Sequence, residues 1–299
     1  MKTLVGTQIR FGDAVIEALR SEMHRDPGVV LMITERGRVA AELGHAFGDD
    51  RLVEVGALGS AIVLAAAGAA GEGQRPVCEL VGRDGGSTAL AQIVELGAMH
   101  DASGGSCPVT IRVAWGDPEG DGIAAESDPL GFLLGAPGLK IVEPATAADA
   151  KGLMVSALAD DEPVCVLEHA ALLDQIGTVP EGAHMVEIGR ARLARAGELL
   201  TVVAHGVGVE PAERALDDAG IDADLIDLRS LQPLDTAAVL TSVRKTGRLL
   251  LVEDGACAGR VTGALIAAIW EQGFEYLDAP PSRIGADAIG GACDELLAY

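Results

Sequence analysis

Histidine is the side chain best suited to proton transfer near neutrality and to zinc ligation. The chain has six, His24, His45, His100, His169, His184 and His205, and no two share an HxH, HxxxH or HExxH spacing. Without such a spacing no pair shares one element's face as a zinc site requires, so each reads as a packing or surface residue. Cys78, Cys107, Cys165, Cys257 and Cys293 are likewise scattered, with no CxxC pair, and read as free thiols of a cytoplasmic protein. Gly206-Val207-Gly208 follows an apolar run, but the third glycine of a dinucleotide-binding turn is replaced by Pro211. The chain has no GxxxxGK[ST] and no GxSxG, which excludes a P-loop and a nucleophile elbow. Gly120-Asp121-Gly122 reads as a loop turn.

Elements that position chemistry are far clearer than the chemistry. Asp13–Arg25 spaces Val15, Ile16, Leu19 and Met23 as one helix face, and Val29–Ile33 is a short apolar strand after Asp26-Pro27-Gly28. The pattern continues with helices at Arg38–Phe47, Ser60–Ala70 and Ser87–His100 and strands at Leu52–Val55, Val77–Val81 and Val109–Ala114. A Gly/Asp-rich loop spans Gly116–Asp128. Strand, helix and strand then follow at Leu139–Val142, Ala147–Ala159 and Val164–Leu167. Alternation of this kind predicts an α/β fold with a mainly parallel sheet. Thr178–Gly189 is polar and aperiodic and reads as a connection. The alternation resumes at Leu200–Ala204, Val209–Ala219, Asp224–Asp227, Thr236–Thr246, Arg248–Val252 and Gly259–Gln272, with an edge strand at Ser282–Ile284. The expected layout is a first domain over 1–180, a linker over 181–190 and a smaller α/β domain over 191–299.

Composition bounds the partners. With 299 residues, 22 Lys and Arg against 45 Asp and Glu, the net charge is −23. That argues against nucleic acid, which needs clustered cations. The apolar stretch Ala57–Gly71 is too short for a membrane span, which takes about 20 residues. No signal-peptide h-region follows Met1–Arg10.

One run is specific. Ile221–Asp254 reads IDADLIDLRSLQPLDTAAVLTSVRKTGRLLLVED. With FGDAVIEALRSEMHRDPGVVLM, GHAFGDDRLVEVG, GQRPVCEL, PGLKIVEPATAADAKGLM, EPVCVLEH and FEYLDAP in order along the chain, it resembles the β subunits of thiamine-diphosphate-dependent 2-oxo acid dehydrogenases (E1β of pyruvate, branched-chain or acetoin dehydrogenase). The resemblance implies a pyrimidine-binding, transketolase-like three-layer domain followed by a transketolase C-terminal-like α/β domain. It implies an α₂β₂ assembly in which an E1α-like chain holds Mg²⁺ and the diphosphate of thiamine diphosphate. The β chain covers the aminopyrimidine, and a lipoyl-carrying acyltransferase (E2) contacts the C-terminal domain. Thiamine enzymes pair a GDG with a later metal-binding asparagine, and this chain has no asparagine, in keeping with that division. The resemblance also implies a potassium site built from the backbone at Val109, Ala157, Leu158, Asp160 and Glu162.

Against the same family the cofactor side departs. The glutamate that hydrogen-bonds N1′ of the aminopyrimidine, and so promotes loss of the C2 proton, matches Gly59 here. The aromatic that packs on the pyrimidine matches Gly85. A histidine near the substrate matches Glu126, in Ala124-Ala125-Glu126-Ser127, and the family's G-E-D has become Ile33-Thr34-Glu35. Glu126 is the candidate catalytic group, with Glu54 the weaker substitute. Arg83 is placed to pair with Glu126 or Asp84 or to meet an anion. Three functions stay open: the β subunit of a heteromer acting on a 2-oxo acid with an atypical site, an inactive homologue supporting an α-like chain, and a binding protein reusing the cleft.

Overall fold

The computed structural model describes residues 6–56, 59–80, 87–116, 129–253, 261–285 and 288–298. The chain divides into two compact units, Met1–Ile188 and Gly189–Tyr299.

In the first unit the elements are β1 (Gly6–Arg10), α1 (Phe11–Arg25), β2 (Val29–Ile33), α2 (Arg38–Phe47), β3 (Leu52–Glu54), α3 (Gly59–Gly71) and β4 (Arg75–Leu80). They continue with α4 (Ser87–Ser103), β5 (Thr110–Trp115), α5 (Leu130–Leu133), β6 (Lys140–Val142), α6 (Ala147–Ala159), β7 (Val164–His169) and β8 (Ile176–Pro180). Six of these strands lie parallel in the order β6-β7-β5-β4-β2-β3. A parallel sheet is covered on both faces, so its strands read as unbroken apolar runs; all five residues of β2 are buried. One face carries α3, because Cys78 Sγ donates to Ile62 O at 3.7 Å. The other carries α6, where the Thr110 hydroxyl donates to Ala157 O at 3.2 Å, and α1 packs on α6.

Local chemistry sets the helices. Val15, Ile16, Leu19 and Met23 are the buried stripe of α1, as their spacing predicts. Thr146 caps α6 by accepting from Asp149 N at 3.1 Å. Nearly all of α6 is buried, and its Lys151 ammonium is met by Glu17 at 2.8 Å and Pro180 O at 3.2 Å.

Two features differ from the sequence expectation. β1 and β8 form an antiparallel ribbon, Gly6 opposite Pro180 through Arg10 opposite Ile176. All of its residues but Val179 are exposed or half-buried, so no apolar alternation announces it. Residues just beyond Pro180, expected to be a linker, instead pack on α6: Val186 N donates to Gly152 O at 3.2 Å, and Ser156 Oγ donates to Val186 O at 2.6 Å. Gly152 permits the approach, since a Cβ there would stand 2.5 Å from Val186 Cγ2. The segment lacks periodicity because its bonds go to a distant helix.

The second unit holds β9 (Arg192–Arg195), β10 (Leu200–Ala204), α7 (Val209–Ala219), β11 (Ala223–Asp227), β12 (Ser230–Gln232), α8 (Thr236–Thr246), β13 (Leu249–Val252), α9 (Val261–Gly273), β14 (Ser282–Ile284) and α10 (Ile289–Leu297). A sheet runs β14-β13-β10-β11-β9, with β9 antiparallel to β11. The LQPLD stretch leads into α8, whose N-terminus Asp235 caps by accepting from Ala238 N at 3.1 Å. β9 leaves no strand signal in the sequence, because Arg192 and Arg195 interrupt the apolar pattern.

Buried charge ties three strands of the first unit. Arg112 on β5 donates in fork geometry to both carboxylate oxygens of Glu168 on β7, at 2.8 Å each, and to Glu79 Oε1 on β4 at 3.0 Å. All three are buried, and Glu79 Oε2 has no hydrogen-bond partner. Burial pushes the Glu79 carboxyl above the usual carboxylate range; Arg112 opposes this and the Glu168 charge adds to it. Burial also works against the Arg112 charge, and the two carboxylates outweigh it. Removing the guanidinium strands two carboxylates, so Arg112→Met is expected to cost about 3–5 kcal/mol near neutral pH, read by urea unfolding. Because Glu79 binds its proton more tightly folded than unfolded, stability should fall as pH rises from the ordinary carboxylate range through its raised folded value. Glu79→Gln keeps an acceptor for Arg112 and should flatten that decline; an unchanged pH profile in E79Q would refute the assignment.

Candidate functional site

Ligands of α/β folds bind at the C-terminal ends of parallel strands, where loops and helix starts converge. Here that edge is built from the ends of β2, β3, β4, β5 and β7. Val55 N donates to Ile33 O at 2.9 Å, carrying β3 past its last paired residue. Gly59 is buried and opens α3. Ile62, one turn on, lies against Cys78, so Gly59 sits about 4.5 Å nearer the C-terminal end of β4.

Along the edge, β5 and β7 present an aromatic pair. The Trp115 and His169 rings meet edge-on with centroids 4.5 Å apart. His169 Nδ1 accepts from Ala171 N at 3.1 Å, which leaves the proton of the neutral ring on Nε2. Gly116 follows with φ +74°, and a Cβ there would stand 2.3 Å from His169 Nε2. Spacing rules missed this histidine because its partners come from neighbouring strands. The EPVCVLEH block was its only sequence signal.

The positions expected to do chemistry fare differently. Gly59 lies at the edge. Arg83, Gly85 and Glu126 lie outside the described residues. Glu54 is 54% exposed and pairs with Arg36 at 3.6 Å, as a solvated surface carboxylate does. Val109, Ala157, Leu158, Asp160 and Glu162 gather at the opposite, N-terminal end of the strands. There Arg75 donates to Leu158 O at 3.0 Å and Asp160 O at 2.8 Å, and Lys140 grips the Asp160 carboxylate at 2.8 Å. Among the described residues no cluster of three or more His, Cys, Asp or Glu is arranged to hold a metal ion.

The second unit has a cavity of about 340 Å³ lined by Leu193, Asp224, Ile226, Ser242 and Lys245, among others. Asp224 accepts from Lys245 at 2.8 Å, Ser242 at 2.6 Å and Gly197 N at 2.8 Å. Burial alone would raise its carboxyl, and these donors hold it below the usual range instead. Its oxygens are satisfied within the protein, so the group acts as an internal brace.

Two α/β units, the first built on a parallel sheet with this edge, are the layout of the transketolase fold class. Residues 7–175 match the transketolase pyrimidine-binding domain and residues 189–299 the transketolase C-terminal domain. The chain belongs to the family of 2-oxo acid dehydrogenase E1 β subunits. It is 33% identical over 291 residues to 2-oxoisovalerate dehydrogenase subunit beta of Bacillus subtilis, covering 93% of this chain and 89% of the relative. It is 35% identical over 293 residues to the mitochondrial pyruvate dehydrogenase E1 component subunit beta of Chaetomium thermophilum, covering 92% and 77%. It is 35% identical over 289 residues to acetoin:2,6-dichlorophenolindophenol oxidoreductase subunit beta of Cupriavidus necator, covering 89% and 85%. A split-gene transketolase solved as an inactive beta4 tetramer shares the fold, with TM-score 0.80 and 20% identity over 97% of this chain and 98% of that one.

Family membership implies thiamine diphosphate, and the described edge can be tested against its aminopyrimidine. Strand alternation turns Cys78, Leu80, Ile111, Val113 and Trp115 toward α3, and Glu79, Arg112 and Glu168 away from it. Neither α3 nor α4 before Glu95 carries a charged residue. His169, opposite Trp115, is turned to the α3 side as well, but no carboxylate of β4, β5, β7 or α3 is, so among the described residues these elements supply no carboxylate to the ring. At Gly116, alanine is expected to displace the His169 ring and cost about 1–3 kcal/mol. Urea unfolding and the His169 imidazole NMR resonances check this, and an unmoved ring would refute it.

Proposed function

We propose that this chain is the β subunit of an α₂β₂ heteromer that acts on a 2-oxo acid, by decarboxylation with acyl or aldehyde transfer, through an atypical cleft. The observation that carries the partnership is α3. This helix has no charged residue, yet leaves Leu64 56% exposed with Gly68 and Gly71 beside it on open backbone. A helix apolar all round belongs in an interior, and small residues let a second helix approach closely. The named relatives are themselves β subunits. The α-type chain would supply Mg²⁺ binding and the diphosphate half, in keeping with the absence of asparagine here.

Finer parts of the reading have their own support. A potassium ion at Val109, Ala157, Leu158, Asp160 and Glu162 is compatible with Arg75, since each carbonyl oxygen it bonds has a second lone pair. An acyltransferase contact is assigned to the C-terminal unit, where Trp270 and Phe274 are more than half exposed with ring centroids 4.4 Å apart. Exposed aromatics of this kind are enriched at interfaces. A cytoplasmic location agrees with free Cys78, Cys107, Cys165 and Cys293. Among the described residues no helix is long and apolar enough to cross a membrane.

Co-expression with an α-type chain carrying GDG and its asparagine is expected to yield a stable complex by size-exclusion chromatography with light scattering. Leu64→Glu should abolish the complex while changing the β chain's own stability by no more than about 0.5 kcal/mol. A folded β chain that forms no complex overturns the proposal.

A further inference from the structure

We infer that the described residues of this chain close the cofactor cleft of its heteromer without supplying a proton-transfer group to the aminopyrimidine; the inference rests on the heteromer reading above. The position that would present a carboxylate is the first residue of α3, buried over the end of β4, and it is Gly59. A glycine has no atom beyond Cα to reach a ring nitrogen.

The described carboxylates of this edge are exposed to solvent, held by Arg112, or set strands away. Glu54 faces solvent against Arg36, and Glu35 is exposed. Glu79 is on the right strand but the wrong face, held by Arg112 on the α6 side of the sheet. Glu168 is on that same face two strands away and is bound through both oxygens by Arg112. Glu143 follows β6, three strand spacings from β4, or about 14 Å. His169 is two spacings away, about 10 Å, with Nδ1 engaged by Ala171 N and its ring set against Trp115.

Positioned proton transfer contributes about 10²–10⁴-fold to a reaction. Turnover of a 2-oxo acid by this heteromer is therefore expected to lie that far below that of a cleft with a carboxylate at this point. The chain's contribution is binding surface and assembly.

The test uses the heteromer of this chain with its α-type partner. Thiamine diphosphate binding with Mg²⁺ is measured by calorimetry, and hydrogen–deuterium exchange at the cofactor's C2 is followed by quenched NMR. The expected result is a bound cofactor whose C2 proton exchanges no faster than in buffer, and a gain of about 10²–10⁴-fold in Gly59→Glu. Exchange a hundredfold above buffer that survives Glu126→Gln, or that is lost on His169→Gln, overturns the inference, whereas exchange lost on Glu126→Gln alone upholds it. The natural-sequence and E126Q rates decide the matter if G59E does not assemble. A complex that binds no thiamine diphosphate instead overturns the heteromer's cofactor reading, and this inference with it.

Discussion

One guanidinium shared by two buried carboxylates holds the first unit's sheet together. Arg112 spans β4, β5 and β7, binding Glu79 on one side and Glu168 on the other. Parallel strands need crossover connections, so these three strands are far apart in the chain and gain no help from tight turns. A charge triplet at full hydrogen-bonding distance penalises a register slip strongly, because any shift leaves a buried ion unpaired. Burial, with the Glu168 charge nearby, raises the Glu79 carboxyl above the usual carboxylate range even though Arg112 opposes it.

That clamp lies on the sheet face away from α3, and the separation of faces governs the cleft. On the α6 side the charges serve the scaffold. On the α3 side the strands offer sulfur, aliphatic, indole and imidazole groups, and α3 itself offers only apolar side chains and one serine. The scaffold can thus stay intact while the cleft changes, since none of the clamp's residues serves both. Fold and family follow from the scaffold, whereas chemistry depends on the site.

Much of the architecture was legible in the sequence because buried parallel strands and amphipathic helices leave periodic signals. The α1 stripe at Val15, Leu19 and Met23 and the apolar run of β2 are of that kind. The β1–β8 ribbon and β9 were not, because exposed or arginine-interrupted strands leave no alternation. The packed segment beyond Pro180 was also hidden, since its order comes from Gly152 and Ser156 on a helix about 30 residues earlier. Glu79, Arg112 and Glu168 each carried a faint signal, a charge inside an otherwise apolar strand, but nothing in the one-dimensional pattern says which charges meet.

The sequence by itself determined the family, the two α/β units and the identity of residue 59, because these are properties of order and of side-chain type. Only the tertiary structure decided which groups could stand in at that position. Strand alternation sends Glu79 to the far face, Arg36 draws Glu54 into solvent, and the parallel strand order puts Glu143 three spacings from β4. Each depends on through-space pairing between distant segments, which no local pattern encodes.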